Sequence, residues 1–322
     1  MVPSGHFWTI SCHLGKRLRP PVIAPARHFH VDIADAQFGS VRLTGRLRHV
    51  AGCRKLLLAV HGLGGSSSSP YMLDAAVAAE AAGLSCLRLD LRGADLRGED
   101  FFHGGLGSDL RAVLASAECA LYDDVLLLGY SLGGHVCLTH LAQDPDPRVR
   151  ALVAVCSPLD LHAAATAFDE GAHVTYRRHV LGGLKQMYGE VAKRRSNLPL
   201  AVEAAARIQT IRDWDDQIVA PRFGFESALH YYREASAAQR LARISVPTLL
   251  LSAARDPMVP RESLLPYHQA LSPAISVVEK SRGGHVAFPR SFDLGEEAAP
   301  GLESQALAWL QREGSVPRTQ QL

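Results

Sequence analysis

The sequence predicts an α/β fold: a mostly parallel central sheet flanked by helices, with a helical insertion late in the chain. Short β-rich apolar runs alternate with longer helix-like stretches over most of the 322 residues. Parallel crossovers demand this order, because each connection lays a helix on a face of the sheet. The alternation stops between about Pro158 and Leu241, where helical patterns occur without a convincing buried strand. Apolar residues make up 47% of the chain, enough to bury a large core.

Phe29–Ile33 and Val41–Leu47 are expected to add antiparallel strands at one edge. Lys55–Val60 (KLLLAV) reads as a strand ending at His61-Gly62, and the alanine-rich Met72–Ala82 as a helix. Leu84–Leu91 is the next strand and Asp109–Cys119 the next helix. Val125–Gly129 (VLLLG) runs into a sharp turn, and Gly134–Ala142 is expected to be helical. Ala151–Cys156 is a further strand. After the interruption, where Val174–Met187 and Ala201–Thr210 carry helical patterns, come strands Pro247–Ser252 and Ile275–Glu279 and a last helix, Leu302–Gln311. The economical organisation is one domain over residues 1–322. Residues 158–241 would then be an insertion that caps the carboxyl ends of the strands, where open α/β sheets bind ligands.

Composition narrows the class of function. The formal net charge is +2 with acids and bases mixed along the chain, unlike the concentrated basic field of a nucleic-acid binder. Basic residues around Arg177, Arg178, Lys185, Lys193, Arg194 and Arg195 read as a solvated helix face. The six cysteines, Cys12, Cys53, Cys86, Cys119, Cys137 and Cys156, form no C-x-x-C pair, and three lie in apolar runs. They read as free thiols behaving as small hydrophobes. The first residues place their basic side chains after a weakly apolar stretch, which is wrong for a secretory signal. No uninterrupted apolar run reaches the ~18 residues of a membrane span. A cytoplasmic setting is expected.

The sharp turn carries the chemistry. Gly129-Tyr130-Ser131-Leu132-Gly133 follows an apolar strand and precedes a helix-forming stretch. A strand that reverses abruptly into a helix strains its apex residue, and glycines at 129, 133 and 134 remove side chains that would collide. Ser131 then stands at a helix N-terminus, where partial positive charge favours a developing oxyanion. This strand–G-x-S-x-G–helix context is that of the nucleophile elbow of the α/β-hydrolase fold, whose base and orienter follow in the order acid, then histidine.

A serine hydroxyl is a weak nucleophile at neutral pH and needs a base, and the base needs an orienter. Strand PTLLLS leads to Asp256, and strand ISVVE leads to His285 in the glycine-flanked Gly283-Gly284-His285-Val286. Ser131, Asp256 and His285 are therefore the candidate catalytic residues. Asp160, just past strand ALVAVC, is the rival orienter. The oxyanion hole is assigned to the amides of Leu132 and of Leu63, the latter in His61-Gly62-Leu63-Gly64-Gly65. His61 is expected to brace that loop without titrating in catalysis. Serine at the apex implies an acyl-enzyme; aspartate would suggest a dehalogenase or epoxide hydrolase, and cysteine a dienelactone-type enzyme.

With these residues in view, the chain resembles the YheT-like α/β-hydrolases, a family that includes the membrane-tethered abhydrolase-domain lipases of animals. The resemblance runs through Gly5-His6 and Thr9-Ile10, HGLGGSSSSPYM from His61 to Met72, Arg92-Gly93, GYSLGG, Trp214-Asp215-Asp216, Pro221, Gly224-Phe225, Tyr231-Tyr232-Arg233, Ser236 and Gly283–Val286. It implies carboxylic-ester hydrolysis by Ser131, Asp256 and His285 on short-chain esters. The sequence departs from the family at Ala94-Asp95-Leu96, where members often carry Cys-Ser-Gly, and an anchor like that of the animal proteins is not expected. An H-x-x-x-x-D spacing from His30 to Asp35, which some relatives are said to use in acyl transfer, is expected by chance and is discounted. For Asp215-Asp216 and Tyr231–Ser236 the reading is helix capping and docking of the insertion onto the core.

The expected activity is hydrolysis of a small-molecule ester, with no metal or organic cofactor, no nucleic acid and no membrane span. The alternatives are an acyltransferase using the same acyl-enzyme and a non-catalytic protein that keeps the pocket.

Overall fold

A computed structural model describes residues 4–10, 21–170 and 174–316. Eight strands form one sheet in the order β1-β2-β4-β3-β5-β6-β7-β8. The first two, β1 (Arg27–Asp35) and β2 (Gly39–Arg48), make an antiparallel hairpin at one edge, and β2 pairs antiparallel with β4. The strands β3 (Lys55–Val60), β4 (Ser85–Asp90), β5 (Asp124–Tyr130), β6 (Val149–Val155), β7 (Thr248–Ala253) and β8 (Ile275–Lys280) run parallel. All six of these strands occupy the expected runs, and the hairpin occupies the expected edge.

Alternation along each strand divides the core into two layers. Leu56, Leu58 and Val60 of β3 face one side with Leu87, Leu89 and Leu127. Leu57 and Ala59 face the other with Leu126, Leu128 and Val153. The second face is covered by helices Pro70–Ala81 and Leu302–Gly314, through Met72, Ala75, Ala306 and Leu310. The first face is covered by Gly107–Leu114 and Leu132–Gln143. Between β6 and β7 the described residues are helical or irregular, with Leu161–Asp169, Val174–Ala192 and Ala228–Ala235 as the longer helices.

Two expected helices are shorter than their sequence pattern. Asp109–Cys119 is helical only as Gly107–Leu114, because the Ser116 hydroxyl donates to Val113 O (2.6 Å) and accepts from Cys119 N–H (3.3 Å). That local turn competes with the helical ladder. Ala201–Thr210 is helical only at Val202–Ala205. Thr210 is extended and accepts from Asp213 N–H (3.0 Å), starting a new helix, Ile211–Trp214.

Of the cysteines, Cys86, Cys119, Cys137 and Cys156 are buried free thiols and Cys53 is a half-buried one; Cys12 lies outside the described residues. No helix among the described residues is long and apolar enough to cross a membrane.

Candidate active site

Strand β5 is buried from Val125 onward and leads into Ser131, which has φ 51° and ψ −122°. A β-carbon on Gly133 would fall on the carbonyls of Val60 and His61, and one on Gly129 would fall on Gly134. Glycine is therefore obligatory at both positions, and the strained apex is held by Ser131 N–H donating to Val155 O (2.8 Å). Gly62 packs just as closely, since a β-carbon there would lie 2.9 Å from that of Ser131.

Three loops at the carboxyl end of the sheet bring Ser131, His285 and Asp256 into one hydrogen-bonded line. His285 Nε2 lies 2.9 Å from Ser131 Oγ, and Nδ1 lies 2.9 and 3.1 Å from the two oxygens of Asp256. His285 and Asp256 are 6% and 7% exposed. An ionised carboxylate only accepts, so Nδ1–H donates to Asp256 and Nε2 is left to accept the serine proton. Asp256 Oδ1 also accepts from the amides of Met258 (2.8 Å) and Val259 (3.0 Å), which fix its carboxylate plane.

Ser131 opens onto a cavity of about 460 Å³ whose walls are mostly apolar, among them Phe102, Leu161, Val180, Trp214 and Met258. The size falls within that of small-molecule sites. Most of the far wall comes from the segment between β6 and β7. Asp215 is the carboxyl in this wall: its Oδ2 accepts from Tyr232 OH (2.7 Å), and burial pushes it up to about 7. His103 also lines the cavity; burial, then Arg92 and Arg222, push it down to about 3, and its Nδ1 accepts from Gly105 N–H (3.1 Å).

Residues 55–290 match the model of the family described by the alpha/beta hydrolase fold. The chain belongs to the α/β-hydrolase family. YheT of Escherichia coli K12, which carries an esterase name, is 31% identical over 260 residues, covering 79% of this chain and 76% of that one. The YheT-like resemblance drawn from the motifs holds. A monoacylglycerol lipase of Saccharomyces cerevisiae is 26% identical, covering 58% of this chain and 43% of its own length. Among solved structures, an esterase of Pyrococcus furiosus matches with a TM-score of 0.52 and 16% identity, covering 83% of this chain and 90% of that one. That likeness concerns the fold alone. Family and named relatives together make this α/β-hydrolase family member a hydrolase.

The remaining candidates fall in distinct places. Asp160 is not beside His285: it caps helix Leu161–Asp169 by accepting from His162 (2.8 Å) and Ala163 (3.1 Å), and Tyr267 OH donates to it. Leu63 and Leu132 both border the cavity next to Ser131, and among the described residues no protein acceptor takes either amide. His61 is fully buried. Its Nε2 accepts from Leu91 N–H (3.1 Å), so Nδ1–H donates to Gly62 O (2.8 Å), and burial lowers its basicity. Asp216 accepts from Ala228 N–H (2.8 Å), and Ser236 Oγ accepts from Leu161 N–H (3.0 Å). Both join segments between β6 and β7 to one another, which is the capping part of the expectation and not docking onto the sheet. Asp35 of the H-x-x-x-x-D spacing belongs to a cluster with Arg92 and Arg222, away from the serine.

Cys156, Asp256 and His285 have ligand atoms within 4.8 Å of one another. Burial pushes the Cys156 thiol well up, its Sγ lies 3.7 Å from Gly284 O, and His285 Nδ1 is already engaged by Asp256. Sequence reasoning missed two side chains at this site. Tyr71 OH accepts from Gly62 N–H (3.2 Å), and Thr9 Oγ1 accepts from His285 N–H (2.9 Å). Both lie in the segments that carry the YheT-like resemblance, which was the available signal.

Proposed function

We propose that this hydrolase is a serine carboxylic-ester hydrolase acting on short- to medium-chain acyl esters through an acyl-enzyme on Ser131. The observation that carries the reading is the unbroken line from Asp256 through His285 to Ser131 Oγ at the edge of an apolar cavity. His285, oriented by Asp256, takes the serine proton as Oγ attacks the ester carbonyl. The amides of Leu63 and Leu132 receive the oxyanion. His285 then protonates the departing alcohol, and water repeats the sequence to release the acid. Residues 158–241 act as a cap over the strand ends, supplying the walls that receive the acyl group. The buried free thiols suit a reducing, cytoplasmic setting.

A fluorophosphonate probe tests this directly. It labels the wild type and not Ser131→Ala, and an unlabelled wild type would end the proposal. A series of p-nitrophenyl esters then shows activity falling once the acyl chain outgrows the cavity. A second reading is acyl transfer to an alcohol, favoured by the apolar cavity and by a relative named medium-chain fatty acid ethyl ester synthase/esterase, 24% identical over 72% of this chain and 58% of its own length. Adding ethanol and weighing ethyl ester against free acid distinguishes the two.

A further inference from the structure

The loop that presents His285 is not self-sufficient. Val286 has φ 47°, a conformation that strains a β-branched residue, and Gly283 has φ 154°. Within the loop the Gly284 amide donates to Ala287 O (2.8 Å). The His285 amide, in the same loop, finds its acceptor 276 residues away in the chain, at Thr9 Oγ1. The same Thr9 hydroxyl donates to Gly5 O (2.8 Å) and also meets the Tyr176 hydroxyl.

Residues 5–10 form a helical turn whose other contacts converge on the same site. A β-carbon on Gly284 would fall on Gly5 O and Thr9 Oγ1, and one on Gly5 would fall on the carbonyl of Arg255, the residue before Asp256. The turn is therefore seated against both the histidine loop and the acid loop without room for a methyl group. Arg282, at the start of the histidine loop, lies over the Trp8 ring at 5.8 Å. On the opposite side, His6 Nδ1 lies 3.0 Å from Tyr176 OH and the two rings stack at 5.6 Å, joining the turn to helix Val174–Ala192. Thr9, Ile10 and Tyr176 also line the substrate cavity.

We infer that this turn is part of the catalytic apparatus: Thr9 is a positioning residue that fixes the backbone of His285, and the His6–Tyr176 pair couples that loop to the inserted helices over the cavity. The inference rests on the triad reading of Ser131, His285 and Asp256. Its chemical content is narrow. Thr9 acts on the reaction through His285: it supplies the acceptor that keeps a strained loop in one geometry, so that Nε2 stays within reach of Oγ. Losing this bond is expected to slow acylation roughly tenfold, equivalent to about 1.4 kcal/mol.

The test compares Thr9→Val, which keeps the shape and removes the hydroxyl, with Thr9→Ser, which restores the hydroxyl. The readouts are kcat and KM on a p-nitrophenyl ester and the rate of fluorophosphonate labelling. Thr9→Val is expected to lose roughly tenfold in both kcat and labelling rate with KM within about twofold, and Thr9→Ser to stay within about twofold of wild type. Wild-type rates in Thr9→Val, or equal losses in both variants, overturn the assignment, the latter because packing would then be the cause. His6→Ala, whose side chain lies outside the cavity lining, is the second arm: a two- to threefold fall in kcat/KM is expected, and an unchanged value overturns the coupling to the inserted helices. A wild type that labels on Ser131 while Thr9→Val labels equally fast removes this inference alone. An unlabelled wild type removes the hydrolase mechanism with it.

Discussion

The molecule holds two buried polar assemblies that differ in where their hydrogen bonds end. Asp256, His285 and Ser131 form an open line: each group hands on to the next, and the last faces the cavity. Arg92 and Arg222 with Asp35, Asp100 and Asp109 form a closed knot. Arg92 grips Asp109 with two bonds of 2.7 Å and also reaches Asp100 (2.9 Å) and Asp35 (3.1 Å). Arg222 grips Asp100 (2.7 and 2.9 Å), reaches Asp35 (3.0 Å) and Gln37 (2.8 Å), and lies 3.9 Å over the Phe38 ring. In the knot every carboxylate is turned inward on a guanidinium; in the line one proton acceptor is kept for an outside partner. Buried charge by itself therefore does not mark an active site. An unfinished hydrogen-bond chain does.

The largest effect is expected from breaking the line at its buried end. Asp256→Asn keeps the volume but presents an amide that favours the wrong imidazole tautomer, so kcat on a p-nitrophenyl ester should fall by about 10⁴. Thermal unfolding should move little. A loss under tenfold would remove Asp256 from the orienting role.

Breaking the knot should do the reverse. Arg222→Met leaves Asp100, whose side chain is fully buried, without half of its compensation, and Arg222 joins the segment between β6 and β7 to the β1–β2 hairpin. Truncating one partner of such a cluster costs about 3–5 kcal/mol. Urea unfolding should show that loss, while the folded fraction labels with fluorophosphonate at the wild-type rate. An Arg222→Met protein as stable as wild type would contradict the docking role.

The contrast also explains what the sequence disclosed. The elbow, Asp256 and His285 were legible because each sits within a few residues of a strand end, and chain order supplies the rest. Thr9 and the knot were not: their partners lie 276 residues away for Thr9–His285, 122 for Arg222–Asp100 and 187 for Arg222–Asp35. No local period encodes such pairs. The insertion was legible as helical, yet Ala201–Thr210 was misread because composition favoured a helix that the Thr210 cap interrupts. The π-helical turn Asp215–Val219 has no sequence signature, although it carries the carboxyl in the cavity wall.

Asp215 belongs to neither assembly, and its effect should depend on pH. Its folded value of about 7 lies above the ordinary aspartate value of 3.8. Below 3.8 both states hold the proton and nothing is lost. As pH rises from about 4 to 7 the unfolded chain ionises first, so the folded state loses stability, and above 7 the loss is constant. The ceiling is about 4 kcal/mol, from 1.36 kcal/mol for each unit. Asp215→Asn, which still accepts from Tyr232, should match wild type near pH 4 and be the more stable by up to that amount at pH 8 in urea titrations. A gap that does not grow with pH would mean that the carboxyl is solvated through the cavity.

The smallest effect is expected at Asp160, and it bears most directly on the choice between the two acids. Asp160 holds a helix start and the Tyr267 hydroxyl, and neither contact touches His285. Asp160→Ala removes the cap, at a cost of about 1 kcal/mol, and should leave kcat within about twofold. Burial, and then the bond to Asp160, push the Tyr267 phenol up to about 12, so ultraviolet titration of the variant should show that phenol ionising closer to 10. The two readouts are coupled by design. A phenol that returns toward 10 proves that the contact existed and is gone, and an unaltered kcat then means that the line to Ser131 runs through Asp256 alone. A collapse of kcat together with the phenol shift would instead make Asp160 the orienter and leave Asp256 as a turn-capping residue beside the histidine.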